Sequence, residues 1–187
     1  MEKELKPGDN HYKAYVGPQN QYDFMGATQF RLLTTLGLRS SSKLLDFGCG
    51  SLRAGKLFMP YLDANNYFGI EPNAWLIDEA KKNELGADIF ELKKPTFNHN
   101  SDFTCDMFGT KFDYILAQSI FSHTGNSLLK SALENFFSVL KDDGLVVATF
   151  IHGNEDNKEN DWVYPGCVKF KPETLSKIKS TVLSTAK

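Results

Sequence analysis

Apolar and polar residues follow two periods along the chain, one typical of helices and one typical of short buried strands. Helical spacing predicts helices at Asp23–Leu36, Trp75–Asn83 and Asn126–Lys141, and a final one from Pro172 to about Leu183. Short apolar runs predict strands at Lys43–Phe47, Asn66–Ile70, Phe112–Ala117 and Leu145–Ile151, with a weaker one at Thr96–Asn98. Because strands and helices alternate, we expect an α/β fold, a doubly wound and mainly parallel sheet with helices on both faces.

The carboxyl ends of the strands are where a doubly wound sheet binds its ligands. This rule directs attention to five places: Phe47–Arg53, Glu71–Asn73, Asn100–Asp102, Gln118–His123 and His152. We expect the opposite ends of the strands to be structural.

A glycine-rich turn follows the first predicted strand. Gly48 and Gly50 allow a sharp turn with no side chain between the backbone and a ligand. We expect a helix to open at Ser51, an N-cap residue, and to aim free N–H groups at that ligand. Glu71 follows the second strand, where a carboxylate can accept hydrogen bonds from both hydroxyls of a ribose. Two cofactors fit this pattern, a nicotinamide dinucleotide and S-adenosylmethionine.

The spacing of the glycines disfavours the dinucleotide. Its GxGxxG fingerprint has a third glycine where this chain has Arg53, and Gly55 comes two residues too late. Asp46, directly before the turn, suits a cofactor with a positive sulfonium and amino group and would repel a pyrophosphate. An NAD-dependent oxidoreductase is therefore the less favoured alternative.

Four segments resemble the motifs of class I S-adenosylmethionine-dependent methyltransferases. They are LLDFGCGSLRAG (44–55), YFGIEPN (67–73), FDYILAQSIFSH (112–123) and LKDDGLVVATF (140–150). The resemblance covers roughly residues 40–152 and has the family's order and spacing. It implies a Rossmann-like fold, S-adenosylmethionine as the cofactor and S-adenosylhomocysteine as its product.

The resemblance also implies roles for individual residues. Gly48, Cys49 and Gly50 would line the methionine part of the cofactor, and Asp46 would order its amino group directly or through water. Glu71 would hold the ribose hydroxyls. The remaining cofactor contacts would be Pro72 and Asn73 beside the adenine, Asp102 (favoured over Ser101) at the adenine amine, and Gln118 and Ser119 beneath the cofactor.

Three further side chains are candidates with two readings each. Arg53 would bind the cofactor carboxylate or be a solvated helix residue. His123 and His152 follow strand ends on the acceptor side, so each would take a proton from the methyl acceptor or simply hydrogen-bond a loop. Cys49 is expected to be a small buried side chain, because methyl transfer needs no enzyme thiol.

Composition places the chain among ordinary globular proteins. Its 187 residues suit a single domain over 1–187, in which residues 1–22 form a polar arm whose tyrosines are candidates for a lid. The net charge of −2 gives no strong nucleic-acid signal. Three cysteines without a CxxC favour the cytoplasm, no apolar run is long enough for a membrane, and no spacing predicts a metal site.

The methyl acceptor is approached by elimination. The Asn/Asp-Pro-Pro-Tyr motif and the Pro-Cys pair of nucleic-acid methylation are absent, which favours a small-molecule acceptor with an oxygen or nitrogen. A non-catalytic cofactor-binding or interaction domain is the alternative. The family's C-terminal strand hairpin has no counterpart before Lys187, so we expect either truncation or an exposed sheet edge that pairs with a partner, for example in a homodimer.

Overall fold

The computed structural model describes residues 5–177. They form two compact units, of which the first ends at His99 and the second begins at Asn100. Each unit contains parallel strands and helices, and each is described by itself. Among residues 5–177, none of the helices has the length and apolar character needed to cross a membrane.

The first unit is built around three strands in the order β3-β2-β1. β1 (Leu44–Phe47) pairs in parallel with β2 (Tyr67–Ile70), which pairs in parallel with β3 (Thr96–Asn98). Every residue of β1 and β2 is buried, as expected for strands that are covered on both faces. The helices of this unit are α1 (Tyr12–Tyr15), α2 (Tyr22–Thr35), α3 (Gly55–Tyr61), α4 (Ala74–Ala80) and α5 (Ala87–Lys93).

The helix after the glycine turn begins later than the sequence predicted. α3 begins at Gly55 and has Ala54, not Ser51, as its N-cap. Leu52 lies in the left-handed region with φ +57°, which no residue of a right-handed helix adopts. The prediction of a helix opening at Ser51 was therefore wrong. Pro60 lies in the last turn of α3, and the helix ends one residue later.

Two elements on the far side of β2 differ from their predictions. α4 gives way at Lys81–Leu85 to a π-helical turn, so the predicted helix Trp75–Asn83 changes its hydrogen bonding before its end. α5 was not predicted, because it is short and contains no buried residue. Its Phe90 stacks on Phe97 of β3 with ring centroids 5.9 Å apart, which ties the helix to the sheet.

The second unit contains β4 (Phe112–Ala117), α6 (Asn126–Val139) and β5 (Leu140–Ala148), with β4 and β5 parallel. The turn predicted at Asp142-Asp143-Gly144 lies inside β5. Phe112 pairs with Leu140 but Tyr114 with Leu145, so the extra residues are absorbed by a shift of register within one strand. Residues 172–177 are helical, and the rest of the predicted final helix lies outside the described residues.

The five strands all pair in parallel, and helices separate most of them along the chain. This confirms the predicted α/β class with a mainly parallel sheet. The core of the first unit includes Tyr22, Leu33, Phe58 and Tyr67, and that of the second Phe112, Phe121, Phe136 and Phe170.

Candidate functional site

The glycine turn after β1 has the backbone conformation that its sequence predicted. Gly48 and Gly50 have φ of +71° and +54°, values that favour glycine. A Cβ atom on Gly50 would lie 2.7 Å from Cγ1 of Val16, so a larger residue would also meet the N-terminal arm. The N–H groups of Gly48 and Cys49 donate to the carbonyl of Ile70 at 2.8 and 3.1 Å. The turn is thus fixed against the end of β2, and these two amides are not free as the sequence suggested.

Glu71 connects the end of β2 to the glycine turn. Its Oε2 accepts a hydrogen bond from the N–H of Gly50 at 3.1 Å. Its Oε1 accepts from the backbone N–H and the side-chain Nδ2 of Asn73, at 2.9 and 2.8 Å. The side chain is buried, with 7% of the residue exposed. The structure therefore brings together three of the predicted cofactor residues, and the carboxylate lies beside the turn instead of in bulk solvent.

Asp46 is the second buried carboxyl group of this unit. Its Oδ2 accepts a hydrogen bond from the Tyr67 hydroxyl at 2.7 Å, and the residue is 4% exposed. Burial raises the pKa of Asp46 to about 6, although the Tyr67 hydrogen bond and the charge of Arg53 oppose the shift. Glu71 raises that pKa further by repulsion. A positive group placed here would relieve both effects.

Arg53 donates a hydrogen bond from Nη1 to the carbonyl of Val16 at 3.1 Å. Burial lowers the pKa of Arg53, while the neighbouring Tyr22 and Asp46 raise it. The guanidinium therefore holds the N-terminal arm in this structure, and its predicted role toward the cofactor carboxylate stays a prediction.

Cys49 is buried beneath the sheet. Its Sγ would lie 2.9 Å from a Cβ placed on Gly69 of β2, and burial raises the pKa of its thiol well above the usual value. Both features fit the expected small buried side chain. The close contact also explains why β2 carries a glycine at its third position. Pro72, by contrast, is exposed next to Glu71.

In the second unit His123 belongs to an aromatic cluster. Its ring lies 5.7 Å from that of Trp162 and 5.1 Å from that of Tyr164. Its Nδ1 is 2.6 Å from the carbonyl of Gly166. Because a carbonyl only accepts, Nδ1 carries the hydrogen, and the neutral ring keeps its acceptor at Nε2.

The other predicted residues of the second unit have mainly local partners. Asp102 is exposed, and hydrogen bonds from Thr104 lower its pKa. The Nε2 of Gln118 donates to Oγ of Ser119 at 3.1 Å, and Ser119 has φ +59°. His152 is exposed and forms a bridge with Phe170. Their cofactor and acceptor roles stay predictions.

The sequence missed three residues that shape the first unit's site. Tyr67 binds Asp46, Val16 packs on Gly50, and the Nδ1 of His99 lies 2.7 Å from the carbonyl of Glu71. None of them carries a motif, so only the fold could bring them in. Within residues 5–177 no group of three or more His, Cys, Asp or Glu side chains is placed to hold a metal ion.

The sequence matches the methyltransferase domain family over residues 45–146, which is more than half of the chain. The chain therefore belongs to this family, and the predicted membership of the S-adenosylmethionine-dependent methyltransferases is confirmed. Comparison with curated protein sequences gives no match.

Solved structures of methyltransferases share the fold. PKMT2 from Rickettsia typhi has a TM-score of 0.51 and 20% identity over 63% of this chain and 22% of its own, so this chain spans about a fifth of that protein. Magnesium protoporphyrin IX methyltransferase from Synechocystis PCC 6803, with S-adenosylhomocysteine bound, has 0.62 and 13% over 88% and 73%. The glycopeptide N-methyltransferase MtfA, also with S-adenosylhomocysteine, has 0.63 and 11% over 84% and 78%. These likenesses confirm the Rossmann-like fold, and the bound ligands agree with the predicted cofactor.

Proposed function

We propose that this chain binds S-adenosylmethionine at the glycine turn and transfers its methyl group to an oxygen or nitrogen of a small molecule. The observation that carries the proposal is the hydrogen bond from the Gly50 amide to Glu71. It places the carboxylate predicted to hold a ribose directly beside the turn predicted to hold the methionine part. Family membership adds the reaction class.

The charge of the site supports a cationic cofactor over a dinucleotide. Asp46 and Glu71 are both buried, and Arg53 is the cation that acts on Asp46. A sulfonium and an ammonium would stabilise this pair of carboxyl groups, whereas a pyrophosphate would be repelled. Binding of NAD without binding of S-adenosylhomocysteine in a calorimeter would overturn the proposal in favour of an oxidoreductase.

The protein's own part in the reaction is alignment and exclusion of water. The sulfonium of S-adenosylmethionine supplies an activated methyl group, so the residues need only hold donor and acceptor in line. Glu71 would orient the ribose, and Asp46 the amino group. His123 is the proposed base, since its Nε2 is the acceptor atom of the ring and would take the proton that the acceptor loses. His152 is the second candidate for that role.

The acceptor class rests on the residues that are absent and on the aromatic cluster. Neither of the two motifs of nucleic-acid methylation occurs, and the net charge is −2. Trp162 is 45% exposed beside Tyr164, which suits an apolar or planar small molecule. The fold does not select among acceptors, because its neighbours include a porphyrin and a glycopeptide methyltransferase.

The surroundings form part of the proposal. Cys49 and Cys105 are buried free thiols and Cys167 is an exposed one. Free thiols suit a reducing compartment, and we propose the cytoplasm.

The decisive experiment supplies methyl-labelled S-adenosylmethionine and fractionated metabolite extracts. We expect label in a small molecule together with S-adenosylhomocysteine as product, and loss of label transfer in Glu71→Ala. Binding of S-adenosylhomocysteine with no transfer to any fraction would favour the non-catalytic binding domain instead.

A pH-dependent binding experiment tests the role of Asp46. Its pKa of about 6 means that near pH 6 the free protein holds a proton on about half of these carboxyl groups. A cation bound beside Asp46 lowers that pKa, so binding should release about half a proton at pH 6 and almost none at pH 8. Calorimetry of S-adenosylmethionine binding in two buffers of different ionisation enthalpy measures this release. Asp46→Asn should abolish it, and equal heats in both buffers at pH 6 for the unaltered protein would exclude contact with Asp46.

A further inference from the structure

Glu84 binds three donors that come from two parts of the first unit. Its Oε1 accepts from the Tyr12 hydroxyl at 2.7 Å and from Lys13 Nζ at 2.8 Å. Its Oε2 accepts from Lys56 Nζ of α3 at 2.7 Å. The Glu84 side chain is 10% exposed. Burial alone would raise the pKa of Glu84, but the hydrogen bonds from Lys13, Lys56 and Tyr12 hold it at about 2, so the carboxylate is ionised at neutral pH.

Tyr22 links this group to the backbone just after the glycine turn. The ammonium groups of Lys13 and Lys56 each lie 5.0 Å from the centre of its ring. Its hydroxyl donates to the carbonyl of Ser51 at 2.6 Å. We call Tyr12, Lys13, Tyr22, Lys56 and Glu84 the latch cluster.

The segment that the latch cluster holds lies directly against the glycine turn. We call residues 11–17 the arm. Cγ1 of Val16 fills the space beside Gly50 that a side chain would need, and the Val16 carbonyl accepts from Arg53. The Tyr15 ring meets Trp75 of α4 edge-on, with centroids 5.4 Å apart. The arm thus forms a wall at both the glycine turn and the start of α4, which follows Glu71 and Asn73.

We propose that Glu84 is a positioning residue that holds the arm against the cofactor site and thereby slows release of the cofactor. This inference rests on the proposed function, because it takes the glycine turn and Glu71 as the cofactor site. Glu84 is suited to the task because it binds two consecutive arm residues, Tyr12 and Lys13, and is itself fixed by Lys56. Val16 lies three residues after Lys13, within one helical turn, so an arm freed at Tyr12 and Lys13 loses its hold on Gly50.

The test compares Glu84→Gln with Glu79→Gln. Glu79 is on α4, and its carboxylate binds only the exposed Asn83 among the hydrogen bonds to described residues. The association and dissociation rates of S-adenosylhomocysteine are measured by stopped-flow, and the exchange of the arm's amide hydrogens by mass spectrometry. For Glu84→Gln we expect dissociation about tenfold faster, as for loss of a charge-assisted hydrogen bond, with association changed by less than about twofold. Arm amides should exchange faster, and Glu79→Gln should match the unaltered protein.

Tyr12→Phe provides a milder variant that keeps the ring and removes one donor. We expect dissociation about two- to threefold faster with the melting temperature nearly unchanged. Unchanged dissociation in Glu84→Gln despite faster exchange of the arm would overturn the inference, as would unchanged dissociation in Tyr12→Phe should Glu84→Gln not fold. Failure of the proposed function looks different, because the unaltered protein would then not bind S-adenosylhomocysteine at all.

Discussion

Replacing Glu71 with alanine is expected to weaken binding of S-adenosylhomocysteine about 10- to 100-fold, the scale of one or two lost charge-assisted hydrogen bonds. The carboxylate is buried and already fixed by Gly50 and Asn73, so it is oriented before the ligand arrives. Preorganisation of this kind makes each hydrogen bond to a ribose hydroxyl more effective. The substitution also leaves the Gly50 amide without its acceptor.

Isothermal titration calorimetry with the three proteins Glu71→Ala, Glu71→Gln and Glu79→Gln separates these contributions. The amide of Glu71→Gln keeps the shape and one acceptor oxygen, so its loss of affinity should be smaller than that of alanine. Glu79→Gln should bind like the unaltered protein, because its carboxylate is exposed. An affinity that Glu71→Ala leaves unchanged would remove Glu71 from the cofactor site.

Replacing Gly26 with alanine should lower the free energy of unfolding by about 2–3 kcal/mol, the usual range for forcing atoms into a packed contact. A Cβ on Gly26 would lie 2.2 Å from the carbonyl oxygen of Arg53, which is backbone and cannot rotate away. In an exposed helix position the same change would stabilise by about 1 kcal/mol, because alanine has the higher helix propensity. The expected sign is therefore opposite to that of propensity, and it isolates the clash.

Urea denaturation followed by circular dichroism measures this effect. Thr28→Ala, on the exposed side of the same helix, is the matched control and should change the free energy of unfolding by no more than about 0.5 kcal/mol. A Gly26→Ala protein as stable as the unaltered one would show that α2 can move away from Arg53 without loss. We expect instead that any such movement also disturbs the backbone that follows the glycine turn.

The site of the first unit could be predicted because its parts are local signals. Glycines at 48 and 50 are required wherever the backbone takes positive φ, and Glu71 marks the end of a strand that the apolar run 67–70 already defines. Parallel strands bring their carboxyl ends to one edge, so two local signals suffice to predict a shared site. The same reasoning predicted α2, α6 and most strand positions, where periodicity is strong.

The helix start after the glycine turn could not be predicted, because local preference and tertiary packing disagree there. Ser51 is a favourable N-cap by type, yet its side chain is buried and its hydroxyl donates to Tyr22. The turn of β5 failed for a related reason. Gly144 with two preceding aspartates is a good turn signal, but pairing with β4 keeps the segment in the strand.

By itself the sequence determined the α/β class, the glycine turn and the acid that accompanies it, because each depends on residue type and short spacing. Only the tertiary structure decided which distant side chains surround that turn. Tyr67 reaches Asp46, and Glu84 reaches Tyr12 across 72 positions of the chain. Such pairs have no periodicity and no motif, since the strands and helices between them set their distance.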